Sequence, residues 1–312
     1  MKPEPADVSM LKRLAALATL ILLMVGARYA CDLAGVRAPW YLLHEVVVLG
    51  IPMAFLLVEL WPRLEASQRL AFVLTSAFFI TLSCIAELLA IEHRYWAFYT
   101  VLDPLSGFDL GAIPIEEFIS YPLLLNLPIL WYMWLGRAFA PEAPLAEATS
   151  ARLVTWLRRG TWLAVIGAAA FIGLALFGVG ADLPIDLPAA PDALGAIRYA
   201  AGPKQYGWTI VQLLGWAGTL SIAARIAARL PWRRLLVQTL TYFPFMMYVE
   251  LLACGRGWWV WNTQQTIGPT VWILPVESFS MYLTGGLFTA LVYEWVLPHC
   301  RPSEANEPLV VS

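Results

Sequence analysis

Apolar residues gather into long unbroken runs, and most polar positions fall between those runs. Runs of roughly 20 residues recur near 11–30, 41–60, 70–91, 112–135, 160–180, 207–226, 235–254 and 271–296. A helix rising 1.5 Å per residue needs about that length to cross a hydrocarbon core of ~30 Å. Barrel strands are far shorter, and lipid offers the backbone no partner, so the runs predict helices. The pattern predicts an all-α, polytopic integral membrane protein of about eight transmembrane helices. Lys12-Arg13 ahead of 14–27 also has the look of a signal peptide. Arg28 stands where a lipoprotein reading of Cys31 wants an apolar residue, so an uncleaved first helix is expected.

Composition agrees with this reading. The chain is 60% hydrophobic and only 13% charged, about half the ~25% of a soluble domain. A net charge of −2 supplies no basic patch, which argues against a nucleic-acid partner. Cys31, Cys84, Cys254 and Cys300 are dispersed, as are His44, His93 and His299, so neither a metal site nor a cofactor is expected. With eight spans, Arg28, Arg37, Arg94, Arg198, Lys204 and Arg256 face one side. The other 14 of the 20 Lys and Arg (20 − 6) share the opposite side with both termini. That bias predicts cytoplasmic termini and a multi-pass protein of the plasma (inner) membrane.

The two halves resemble each other. Glu87-Leu88-Leu89-Ala90 returns as Glu250-Leu251-Leu252-Ala253, offset by 163 residues (250 − 87). Arg94 and Trp96 follow the first; Arg256, Trp258, Trp259 and Trp261 follow the second. Next come Pro114-Ile115-Glu116-Glu117-Phe118 and Pro275-Val276-Glu277-Ser278-Phe279, offset by 161 (275 − 114). Three ordered matches at nearly constant spacing define an internal repeat. The expected division is a first four-span repeat at 1–140, a linker at 141–159, a second repeat at 160–298 and a tail at 299–312. Four spans is an even number, so the repeats run parallel and both Pro-x-Glu elements open helices on one side, facing one cavity.

Carboxyl groups at membrane depth need a partner, a proton or a task. Glu45 and Glu59 lie near span ends and are expected to reach water, with Glu45→Gln doing little; Glu294 reads as interfacial. Glu87 and Glu250 precede Arg94 and Arg256 by about two turns, which predicts a supporting ion-pair network. Glu116, Glu117 and Glu277 each follow a proline suited to a first helical turn, beside the positive helix end. They read either as stabilisers of that helix end or as an acid and base kept from water. Trp96, Trp258, Trp259 and Trp261, with Phe118 and Phe279 beside the acids, read either as interfacial belt residues or as the walls of a site where ring faces stabilise a carbocation.

At these residues the chain resembles the membrane-integral lycopene cyclase family, found as two small subunits or as one fused chain. Its Pro-x-Glu-Glu element opens a helix after a Trp-containing loop, once per repeat. Pro114-Ile115-Glu116-Glu117 matches fully, and Pro275-Val276-Glu277-Ser278 departs at Ser278. The resemblance implies a redox-neutral intramolecular lyase or isomerase that closes rings at the ends of lycopene or a related acyclic carotene. Glu116, Glu117 and Glu277 would be the catalytic carboxyls, the named Trp and Phe residues would line the substrate site, and no cofactor is implied. The chain has no Gly-x-Gly-x-x-Gly element and so does not look like the flavin-containing cyclases. Another membrane terpene cyclase, a carotenoid hydratase, or a non-enzymatic isoprenoid binder or transporter would use similar features.

The charge bias makes a direct prediction. Reporter fusions at residue 145 and at the C-terminus should both report cytoplasm. A signal from the opposite side at 145 contradicts parallel repeats.

Overall fold

Hydrocarbon offers no partner to a peptide N–H or C=O, and the chain answers with helices that satisfy their own backbone. The computed structural model describes residues 6–36, 39–93, 95–98, 109–110, 113–138, 143, 145–180 and 203–301. The first half of the chain is built from α1 (Ala6–Leu33), α2 (Trp40–Arg63), α3 (Ala66–Glu92) and α4 (Ile115–Ala138). The second is built from α5 (Glu147–Leu176), α6 (Gly207–Ile226), α7 (Trp232–Arg256) and α8 (Val276–Val296). Among the described residues, α2 to α7 are the helices long and apolar enough to cross a bilayer. Helix α5 starts well before the expected span at 160. Arg152, Arg158 and Arg159 end the apolar run but not the helix.

Exposed Leu, Val, Ile and Trp side chains cover the outside, as on Leu163, Ile166 and Leu176 of α5. A lipid-facing surface requires this pattern. Helix α5 lies along α6, while α3, α4, α7 and α8 pack together at the centre. Leu49, Leu56, Ile129, Leu130, Tyr132, Met246 and Leu291 form the buried core there.

Short strands tie the repeats together. Strand β1 (Trp96–Phe98) follows α3, and β4 (Trp259–Trp261) follows α7. They pair antiparallel, with Trp96 opposite Trp261, Ala97 opposite Val260 and Phe98 opposite Trp259. At the repeat offset of 163, Ala97 therefore pairs with its own counterpart. An antiparallel ladder with that register has a local two-fold axis through the central pair. Tyr132 and Tyr293, counterparts at the offset of 161, meet edge-on at 6.3 Å toward the other end of the bundle. The pseudo-two-fold axis thus runs between these two contacts.

A hairpin precedes each motif helix. β2 (Asp109–Leu110) pairs with β3 (Ile113–Pro114), and β5 (Thr270–Val271) with β6 (Leu274–Pro275). Pro114 and Pro275 end these strands, immediately before the first turn rather than within it. Both motif helices open at the end of the bundle that carries the β1–β4 pair, as parallel repeats require.

Proline also shapes the packing. Pro128 lies inside α4 and cannot donate to the carbonyl four residues earlier. That carbonyl, on Leu124, accepts instead from the Tyr242 hydroxyl of α7 at 2.9 Å. Tyr242 is thereby fixed against α8, where a Cβ added at Gly286 would lie 2.7 Å from its ring. A Cβ at neighbouring Gly285 meets nothing within 4 Å.

The two glycines should therefore answer differently to alanine. Gly285→Ala gains helix propensity, up to about 1 kcal/mol. Gly286→Ala overpacks a pinned ring and should lose about 1–2 kcal/mol. Thermal melting in detergent micelles separates them; equal midpoints would mean that Tyr242 is not held in place.

Candidate active site

Between the two axial contacts lies a cavity of about 260 Å³. Its wall contains counterpart pairs from the two repeats: Glu87 and Glu250, Trp96 and Trp259, Tyr121 and Tyr282. The cavity therefore sits on the pseudo-two-fold axis. Ser83 and Ala86 of α3, Leu124, Leu125 and Pro128 of α4, Met246 of α7, and Met281, Gly285 and Gly286 of α8 make the rest of the wall largely apolar.

The carboxyl groups obtain their donors from the strands and the motif helices. Trp96 Nε1 donates to Glu87 Oε1 at 2.9 Å, and Tyr121 stands beside the same group. In the second repeat, Trp261 Nε1 donates to Glu250 Oε1 at 2.8 Å and the Tyr282 hydroxyl donates to Oε2 at 2.6 Å. The Ser278 hydroxyl adds a third donor, to Oε1 at 3.2 Å. Glu117 occupies the position equivalent to Ser278. Its carboxyl lines the cavity, lies near Glu87 and accepts from the Tyr41 hydroxyl of α2. Tyr41 stacks on Trp258, with ring centroids 5.0 Å apart. The symmetry is thus broken at the chemistry: Glu117 joins Glu87 in one repeat, while in the other Glu250 stands alone among side-chain hydrogen-bond donors.

Of the three carboxyls expected to share one cavity, Glu117 lines it. Glu116 and Glu277 are buried but are not among its lining residues. Glu277 Oε1 accepts from the Thr209 hydroxyl at 2.5 Å and the Ile267 N–H at 2.8 Å, tying the motif loop to α6. Among the expected aromatics, Trp96, Trp259 and Trp261 line the cavity; Trp258 is the buried buttress of Tyr41, and Phe118 and Phe279 are not among its lining residues. Arg256 bonds Asp32 of α1 at 3.1 Å, so the expected pairing with Glu250 is replaced by a clasp between repeats. Arg94 lies outside the described residues.

Three features escaped sequence reading. Trp208, on the first turn of α6, completes a box with Trp96 and Trp261, all centroids 5.1–5.2 Å apart. Gly207 allows this approach: a Cβ there would lie 2.7 Å from the Tyr95 ring. Glu87 and Glu250 line the cavity rather than merely supporting it. Glu45 was expected to reach water, yet it is 1% exposed and neither carboxyl oxygen has a hydrogen-bond partner. It opens a π-helical turn, Glu45–Gly50, which turns it inward near Tyr41 and Glu117. Such turns occur frequently at functional sites.

Among the described residues, no group of three His, Cys, Asp or Glu side chains is placed to hold a metal ion. Comparison with curated proteins and with solved structures finds no match. The family model described as Lycopene cyclase matches residues 38–135 and 203–296. These two stretches carry the cavity-lining residues of both repeats and make up more than half of the chain. The chain belongs to the lycopene cyclase family.

Proposed function

We propose that the chain closes a ring at an acyclic end of a C40 carotene such as lycopene, by proton-initiated, redox-neutral cyclisation in the axial cavity. The observation that carries this reading is an apolar cavity with carboxyl groups of two different environments on facing walls. Glu117 lines this apolar cavity near Glu87, and we assign it the proton that starts the reaction. That proton passes from Glu117 to the terminal alkene and leaves a tertiary cation. An internal double bond of the same molecule attacks the cation, forming the ring bond and moving the positive charge into the ring. Loss of a proton from a neighbouring carbon completes the product, so one proton is taken up and one released.

Glu250 is the base in this scheme. Its donors Trp261, Tyr282 and Ser278 fix the carboxyl oxygens at the cavity wall. The Trp96, Trp208 and Trp261 faces lower the energy of the cation through cation–π attraction. Glu277 holds the motif loop of the second repeat against α6. From the Lys and Arg bias we further infer that this end of the bundle faces the non-cytoplasmic side of the plasma membrane, with both termini cytoplasmic.

Pigment composition in a lycopene-producing host tests the assignment. A general acid contributes about 10²–10⁴-fold, so Glu117→Gln should nearly abolish ring formation while the protein still accumulates in the membrane. Glu277→Gln, outside the cavity, should retain most of it. The reverse ranking would remove Glu117 from its role. Trp208 lines the cavity and its indole N–H has no partner, so Trp208→Leu chiefly removes a ring face. It should slow cyclisation by about 2- to 30-fold, as ~0.5–2 kcal/mol of cation–π attraction implies. An unchanged rate would exclude that face from the mechanism.

A further inference from the structure

Among the described residues, two seams flank the axial cavity, and the pseudo-symmetry makes them comparable residue by residue. One runs between α4 and α7, the other between α3 and α8. The first is closed. Tyr242 of α7 bonds the Leu124 carbonyl that Pro128 leaves without a helical donor. Val249, the residue before Glu250, is 1% exposed.

The counterpart seam lacks each of these features. Phe79 replaces Tyr242 and has no hydroxyl, while Thr289 replaces Pro128, so no carbonyl is freed. Gly285 stands where Leu124 does, and Ala86 where Val249 does. Both Ala86 and Gly285 line the cavity and are themselves exposed. The wall is therefore open at that point. Phe79 and Phe288 meet edge-on at 5.3 Å, further from the β1–β4 end, and form the sill of the opening. Exposed Leu82 and Ile85 flank it on α3.

We propose that the acyclic polyene enters through this single window between α3 and α8, directly from the hydrocarbon layer, and that one end is processed per visit. The inference rests on the cyclase reading for the identity of the occupant. An all-carbon chain has no polar group to be recognised, so an apolar side opening suits it better than a mouth on the aqueous face. A single window and a single Glu117 leave room for one end group beside the acid, while the remainder of the chain stays in lipid. Cyclisation of the second end then requires release and re-entry in the opposite sense.

The experiment uses the full-length protein in lycopene-producing membranes. Ala86→Trp and Gly285→Trp each place an indole in the window from a different helix, and both should lose ring formation. Ile85→Trp, which adds the same bulk at an exposed position outside the cavity lining, should keep it. Ring formation by both window variants at the wild-type level overturns the proposal. In a time course with limiting enzyme, free monocyclic carotene should precede any bicyclic product. Bicyclic product without a monocyclic pool overturns the one-end rule. Pigment carried through purification separates this proposal from the reading beneath it. If the wild type makes no ring yet retains lycopene, the cyclase reading fails and the window is judged by retention. Pigment lost from Gly285→Trp and Ala86→Trp supports it, and pigment kept by both overturns it.

Discussion

A carboxyl group placed among apolar helices must find its hydrogen-bond donors within the protein, and the arrangement around the cavity follows from that constraint. Glu250 needs donors at the end of α7, and the chain turns there into β4, which brings the Trp261 indole back onto it. Glu87 is met the same way by Trp96. Strands β1 and β4 have unpaired edges of their own, and each satisfies the other. Donor supply, strand formation and the joining of the repeats are thus one solution. The Trp-rich segments after α3 and α7 position the acids rather than forming an interfacial belt.

The two-fold frame is conserved in structure where it holds backbone together and abandoned where it faces the cavity. Tyr121 and Tyr282 keep equivalent places, as do Trp96 and Trp259. Ser278 in place of a second Glu117 changes the surroundings of the neighbouring carboxyl. With Ser278 as a donor, Glu250 gains a hydrogen bond; with Glu117 nearby, Glu87 gains an acidic neighbour. In the proposed scheme this one difference between the repeats separates the acid from the base, the chemical polarity that a proton-in, proton-out reaction needs.

The helices and the repeat were legible in the sequence, because hydrophobic run length and three matched motifs are local signals. The position of Glu117 was legible too, as part of an adjacent carboxyl pair opening a helix. Which member of that pair faces inward was not, since neighbouring residues on a helix point about 100° apart and the entry angle is set by the hairpin. Glu277 resembles Glu116 in sequence, and both lie away from the cavity. Glu45 seemed close to water because span ends usually are, but a π-helical turn rotates it inward, and no simple pattern of apolar residues announces such a turn. Trp208 has no partner in the repeat motifs, and the bond between Arg256 and Asp32 links residues in different repeats.

Fusing two copies in one chain removes a restriction that identical subunits cannot escape. In a symmetric homodimer, any residue that closes one seam also closes the other, and any carboxyl placed on one wall appears on both. A Leu124–Tyr242 hydrogen bond in such a dimer would seal both approaches, while a glycine pair at 285 and 286 would open both. Two covalently joined copies can diverge position by position. The seam between α4 and α7 can then be spent on rigidity, through a hydrogen bond that repairs a proline-broken helix. The seam between α3 and α8 can be left thin for access. A reaction that treats the two ends of one molecule in separate events needs only one entrance and one acid, and an asymmetric pair of repeats supplies both with the fewest openings to lipid.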